Sequence, residues 1–172
     1  MTFALHVDAP RWRAHLAGVR DSVREAIAGA AHGDLVPVIK GNGYGLGNHN
    51  LVAEANSLAL TRIAVGTIFE AAELLPVTDA DVLVLTPFDP RDTAAAQLWQ
   101  ECAVGPHHTR LIRTVADIES WQALAMGPGP VRVVLEGLTS MGRFGMTAEE
   151  IAELLSDEAT AEVLISGRIL IE

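Results

Sequence analysis

Short apolar runs of strand length alternate with amphipathic segments of helix length along nearly the whole chain. Such alternation is typical of α/β proteins, in which parallel strands are buried beneath helices. Strands are predicted at 35–39, 63–65, 82–85, 111–112, 131–135 and 163–171, the last with a break at Gly167. The pattern therefore predicts an α/β fold with about six parallel strands and helices outside them.

Helix signals fall between these runs. Asp8 and Pro10 are typical of a helix start, because Asp caps free N–H groups and Pro is tolerated in the first turn. Thr147 and Glu150 have the spacing of a capping box. The first predicted helix has one apolar face, formed by Trp12, Leu16, Val19, Val23 and Ile27. Other helices are predicted at 49–60, 69–75, 90–101 and 116–126.

This number of strand–helix steps suits a TIM-type (β/α) barrel better than a dinucleotide-binding fold. A complete barrel has eight strands and typically about 250 residues, whereas the chain has 172. We therefore predict a partial TIM-type (β/α) barrel, either a piece of a longer barrel or an open sheet.

Composition excludes several classes of protein. A net charge of −10 argues against a nucleic-acid partner. No apolar run reaches the ~18 residues that a membrane span needs, and the N-terminus lacks the pattern of a signal peptide. Cys102 is the only cysteine, which leaves no disulfide within the chain and fits a cytoplasmic location. No metal site is predicted, since the adjacent His107 and His108 would point to opposite faces of a strand.

Lys40 is the only lysine and directly follows the apolar run at 35–39. In (β/α) barrels the ends of strands carry the catalytic groups. A lysine partly desolvated at such a position supplies the neutral amine that attacks an aldehyde. The alternative is a lysine that merely reaches from a strand end to water.

A glycine-rich segment, Gly41–Asn48, follows Lys40 and contains four glycines. Glycine lets a backbone turn tightly and approach a ligand closely. The spacing does not fit the dinucleotide fingerprint, and the phosphate-binding P-loop fails because its lysine follows the glycines. The segment is therefore a candidate ligand loop of another kind.

Residues 38–47, VIKGNGYGLG, resemble the cofactor-lysine motif V-x-K-A-x-A-Y-G-x-G of the alanine racemase family. The resemblance implies that Lys40 forms the internal aldimine with pyridoxal 5'-phosphate and that Tyr44 hydrogen-bonds the cofactor phosphate. Gly41 and Gly43 replace the two alanines of the usual motif, and we expect them to loosen the loop.

Later segments resemble the same family in the same order. The run 82–85 resembles its third strand, whose final residue, Leu85, would flank the cofactor ring. Residues 139–145, TSMGRFG, resemble T-G-M-G-R-L-G, which implies that Arg143 contacts the phenolic oxygen of the cofactor. Glu136 stands where many members have a lysine that carries a negative charge after carbamylation, and we hypothesise that Glu136 orients Arg143. Ile171 stands where the family has a histidine stacked on the cofactor ring.

The resemblance implies a pyridoxal-phosphate-dependent racemase that interconverts L- and D-alanine and is a homodimer in the complete protein. Residues 1–172 would form the N-terminal part of its barrel, without the later strands and the C-terminal β-domain that supplies a tyrosine base. Since Tyr44 is the only tyrosine, we expect little racemase activity from these residues alone. Three alternatives stay open, namely a non-catalytic pyridoxal-phosphate carrier, a cofactor-free lyase and a degenerate barrel domain.

Overall fold

The computed structural model describes residues 6–28 and 34–172. Its five strands form one parallel sheet in the order in which they occur along the chain. They are β1 (Arg62–Val65), β2 (Asp81–Val84), β3 (Leu111–Val115), β4 (Val131–Leu135) and β5 (Ile169–Ile171). Sequential order with at least one helix between each pair of neighbouring strands is the arrangement of a (β/α) barrel, which confirms the predicted partial barrel.

Helices precede and connect the strands, and those with buried residues cover one side of the sheet. They are α1 (Ala9–Ala26), α2 (Asn48–Ser57), α3 (Ile68–Leu74), α4 (Thr93–Val104), α5 (Ile118–Met126), α6 (Ala148–Ser156) and α7 (Glu158–Ile165). Asp8 caps α1 by accepting a hydrogen bond from the Arg11 N–H at 3.2 Å, as predicted. The capping box of Thr147 and Glu150 at α6 is also confirmed.

The apolar core lies between the sheet and these helices. Side chains alternate between the two faces of a strand, and the residues with no exposed surface include Ile63, Val65, Val82, Val84 and Val133. Trp99 of α4 and Trp121 of α5 pack in this core. The predicted apolar face of α1 is only half-buried, and none of the residues of this helix is fully buried. We call the helix-covered side of the sheet the outer face and the opposite side the inner face.

A network of charged side chains links the amino ends of β1, β2 and β4 to Glu172. Arg132 donates from Nε to Oε1 of Glu172 at 2.5 Å and from a terminal nitrogen to Oδ2 of Asp81 at 2.7 Å. Arg62 donates to the other oxygen of Glu172 at 2.8 Å. The Arg132 guanidinium holds the pKa of the Glu172 carboxyl below its usual range. Ion pairs thereby join β1 and β4 to Glu172, the residue that follows the last strand.

Two predicted strands differ from the structure. The segment 35–39 makes a single parallel bridge, between Val38 and Ala64, rather than a full strand. Pro37 has no N–H to donate to a ladder, so the segment contributes only the bonds from Ile39 N–H to Ala64 and from Ala64 N–H to Pro37, at 2.7 and 2.9 Å. The sheet therefore has five strands plus this bridge.

Residues 163–165 belong to α7 and not to the last strand. Asp157 caps this helix by accepting a hydrogen bond from the Thr160 N–H at 2.9 Å. A run of three apolar residues is too short to show either helical or strand periodicity. The N-terminal cap upstream is the signal that favours a helix. The break expected at Gly167 is the end of this helix, where the glycine adopts a φ of 68°.

Candidate active site

Lys40 lies at the edge of the sheet beside β1. Val38, two residues before Lys40, pairs with Ala64, which lies in register with Leu83 of β2. Side chains two residues apart in an extended segment lie on the same face, so Lys40 shares the inner face with Val38. Its side chain is exposed, so the predicted partial desolvation is not found in this structure.

The chain turns in a left-handed sense directly after Lys40. Gly41, Asn42, Gly43 and Tyr44 have φ values of 59°, 51°, 58° and 53°. Non-glycine residues pay about 1–2 kcal/mol each for this conformation, so glycine at two of the four positions lowers its cost. Hydrogen bonds from Gly43 N–H to Lys40 and from Gly47 N–H to Asn42, both 3.0 Å, close the turn. Glycine at these positions thus suits the left-handed turn, and the expected loosening of the loop stays a prediction.

Tyr44 points away from the protein body. Its side chain is 90% exposed, at the end of the left-handed turn. The phenol is therefore accessible to a ligand, but no contact with Lys40 holds the Tyr44 side chain in one position. Its assignment to the cofactor phosphate stays a prediction.

The carboxylate of Glu70 ties the Lys40 turn to the start of α3. One oxygen accepts the Gly41 N–H at 2.7 Å, and the other accepts the N–H groups of Gly66 and Thr67 at 2.8 and 3.0 Å. Gly66 permits this approach, because a Cβ there would lie 2.7 Å from the Glu70 carboxylate and 3.3 Å from Lys40 Cβ. Glu70 thus fixes the backbone that carries Lys40.

Glu70 is a site residue that the sequence analysis did not identify. The signal that could have found its role is the capping-box spacing of Thr67 and Glu70, which predicts a carboxylate turned back toward the helix start. The bond to Gly41 could not be foreseen, since the two residues are distant in sequence.

Leu85 and Glu136 follow β2 and β4 directly and lie at the carboxyl ends of these strands. Their neighbours Val84 and Leu135 belong to the outer face, so alternation turns Leu85 and Glu136 toward the inner face with Lys40. Leu85 is half-buried. Oε2 of Glu136 is buried and has no hydrogen-bond partner among the described residues.

Arg143 lies at the tip of the loop between β4 and α6. The base of the loop is closed by the N–H of Leu138 bonding to Met146 and the N–H of Met146 bonding to Glu136, both at 2.8 Å. Arg143 itself is exposed, and its nearest polar contact is the Met141 sulfur at 4.0 Å. No ion pair between Arg143 and Glu136 is found in the described chain, so the hypothesis that Glu136 orients Arg143 stays a prediction.

This loop also closes over the ends of two neighbouring strands. A cavity of about 400 Å³ separates it from the segments after β2 and β3 and is lined by Thr86, Ala116 and Phe144 among others. The structure thus places Lys40, Leu85, Glu136 and the base of the Arg143 loop at the same end of the sheet. This is the end at which (β/α) barrels carry their active sites.

Comparisons with known proteins agree with this arrangement. An alanine racemase of Staphylococcus saprophyticus is 32% identical over 123 residues, which cover 70% of this chain and 31% of the relative. The crystal structure of alanine racemase from E. faecalis matches with a TM-score of 0.59 and 28% identity, over 80% of this chain and 35% of that chain. A structure of alanine racemase from Bartonella henselae with covalently bound pyridoxal phosphate shares the fold, with a TM-score of 0.63 and 22% identity over 87% of this chain and 40% of that one.

The fold and the lysine at the strand end define a partial (β/α) barrel of the kind found in racemases. A family model for the N-terminal domain of alanine racemase matches residues 14–167. The chain belongs to this family, and it spans about a third of the length of the relatives it matches. Across residues 6–28 and 34–172, no helix has the length and apolar character needed to cross a membrane.

Proposed function

We propose that the chain forms the cofactor-binding part of a pyridoxal-phosphate-dependent racemase that interconverts L- and D-alanine. The observation that carries this proposal is the position of Lys40, the only lysine, on the inner face at the carboxyl end of the sheet. Family membership over residues 14–167 supports it independently.

The side chains at this end of the sheet fit the chemistry of the cofactor. Lys40 offers an amine for its aldehyde, Tyr44 a phenol for its phosphate and Arg143 a guanidinium for its phenolic oxygen. Leu85 would lie against its ring. Oε2 of Glu136 is buried and has no hydrogen-bond partner among the described residues, so a hydrogen-bond donor is expected beside it. When bound, pyridoxal phosphate supplies a conjugated ring that takes up the electron pair left by the departing α-proton.

The Lys40 amine would hold and return the α-proton on one face of the amino acid. Racemisation needs a second acid/base on the opposite face. Tyr44, the only tyrosine of the chain, is assigned to the phosphate, so the second base is expected from another part of a complete homodimeric protein. A cytoplasmic location is part of the same proposal.

The test is exchange of the α-proton of alanine in deuterated water with added pyridoxal phosphate. Because Lys40 serves one face, we expect the chain to exchange one enantiomer of alanine with little conversion to the other. Lys40→Arg keeps the positive charge but cannot bond the aldehyde at neutral pH. We expect this variant to lose the enantioselective exchange and leave only the background of free cofactor.

A pyridoxal-phosphate carrier is the second candidate, because Lys40 is offered to the aldehyde and the exposed Tyr44 to the phosphate, and a carrier needs no second acid/base. A carrier would attach the cofactor at Lys40 and exchange neither enantiomer above the Lys40→Arg background. That result would overturn the racemase proposal and leave cofactor binding intact.

A further inference from the structure

Arg113 is a buried arginine on the outer face of the sheet. It belongs to β3, is 4% exposed, and its guanidinium carbon lies 5.3 Å from the centroid of the Trp99 ring of α4. Its Nε has no hydrogen-bond partner in the described chain, and none of the carboxylates described there pairs with it. Residues 1–5 and 29–33, which the structure does not describe, contain no aspartate or glutamate.

Arg113 is the only buried one among the eleven arginines, all of which lie in the described residues. Six of the other ten have carboxylate partners, namely Arg13, Arg20, Arg24, Arg62, Arg91 and Arg132. All of these are more exposed than Arg113. Burial without a carboxylate lowers the pKa of Arg113 to about 10. A guanidinium that is buried without a counter-charge is costly, which indicates a missing anionic partner.

Cys102 does not supply that anion. Its thiol lies close enough to Arg113 for the two charges to interact, but burial raises the pKa of Cys102. The thiol is therefore neutral near physiological pH and leaves Arg113 uncompensated.

Arg113 lines a groove of about 350 Å³ between α4, α5 and the start of β4. The walls are mainly apolar and include Trp99, Ala103, Leu124 and Val131. Asp89 also lines the groove, but its carboxylate accepts two hydrogen bonds from the Arg91 side chain. The volume suits a small ligand, and such sites are typically apolar with a single polar anchor.

We propose that this groove binds a small organic monocarboxylate, with the carboxylate on Arg113 and an apolar chain along Trp99 and Leu124. The planar guanidinium matches a carboxylate with two parallel hydrogen bonds. A dianion is disfavoured, because Arg113 carries a single positive charge and the carboxylate of Asp89 also lines the groove. The site lies on the opposite side of the sheet from Lys40 and does not depend on the proposed racemase function.

The test uses hexanoate as the probe and follows thermal unfolding of the 172-residue chain by circular dichroism. We expect hexanoate to raise Tm in a saturable way relative to equal chloride, since a ligand that binds only the folded state stabilises it. Uncharged 1-hexanol should give no such rise. Arg113→Met should fold, because it removes an uncompensated buried charge at similar volume, and its Tm should not respond to hexanoate.

Two further variants separate this groove from other cationic sites. Arg11→Met on α1, which does not line the groove, and Lys40→Met on the inner face should retain the hexanoate effect. If Arg113→Met fails to fold, Arg113→Lys is titrated with hexanoate and followed by tryptophan fluorescence. It should bind hexanoate more weakly than the unaltered chain, since an ammonium lacks the planar, two-pronged geometry of a guanidinium. An equal rise with 1-hexanol, an undiminished response in the Arg113 variants, or no response in the unaltered chain would each overturn the proposal.

Discussion

Gly145→Ala is expected to destabilise the chain by about 4 kcal/mol, through a strained backbone and steric overlap together. Gly145 has a φ of 116°, and a Cβ there would lie 2.6 Å from the carbonyl carbon of Gly137 and from the nitrogen of Leu138. Those atoms are backbone and cannot move without breaking the bonds that close the Arg143 loop. Urea unfolding followed by circular dichroism measures the loss as a lower midpoint at unchanged slope.

Gly142→Ala is the matched control in the same loop. Gly142 has a φ of 58°, but a Cβ there would meet no atom within 4 Å. Only the conformational cost of about 1 kcal/mol remains. Equal losses in the two variants would mean that the loop does not close against Gly137 as described.

Glu70→Ala is expected to cost about 3 kcal/mol, because three N–H groups lose a charged acceptor at once. The effect should be local as well as global. Amide hydrogen exchange at Gly41, Gly66 and Thr67 should accelerate, because these groups donate to the carboxylate in the intact chain. Glu70→Gln should retain part of the stability, since its amide oxygen can still accept from the start of α3.

Glu73→Ala is the control for this substitution on the same helix. Its side chain is 52% exposed and, within residues 6–28 and 34–172, its carboxylate pairs with His49 alone, at 2.9 Å. Exposed pairs of this kind contribute about 0–1 kcal/mol, so the variant should unfold near the unaltered chain. A Glu70→Ala loss no greater than that of Glu73→Ala would show that the carboxylate does not hold the Lys40 turn.

Much of the fold follows from periodicity in the sequence. The runs at 82–85 and 131–135 and the caps at Asp8 and Thr147 were sufficient to predict parallel strands with outer helices. Prediction failed where local and tertiary signals compete. Residues 163–165 are as apolar as a strand but follow a helix cap, and the segment 35–39 contains a proline that limits its pairing.

Some residues of the site could also be predicted from the sequence and others could not. Lys40 and the base of the Arg143 loop could be located from motifs, because each follows a predicted strand. The clamp by Glu70 and the burial of Arg113 could not, since both depend on contacts between residues far apart in the sequence. The exposure of Lys40 also escaped prediction, because it depends on which elements lie opposite the inner face.

The most direct test of the central claim is to locate the covalent attachment of the cofactor. Pyridoxal phosphate is added to the folded chain, borohydride makes the attachment permanent, and the labelled peptide is identified by mass spectrometry. We predict a label on Lys40, within the peptide that contains Gly41–Gly47, and none there in Lys40→Arg. A folded chain that takes up label only at its N-terminal amine, or equally in both proteins, would contradict the assignment of Lys40.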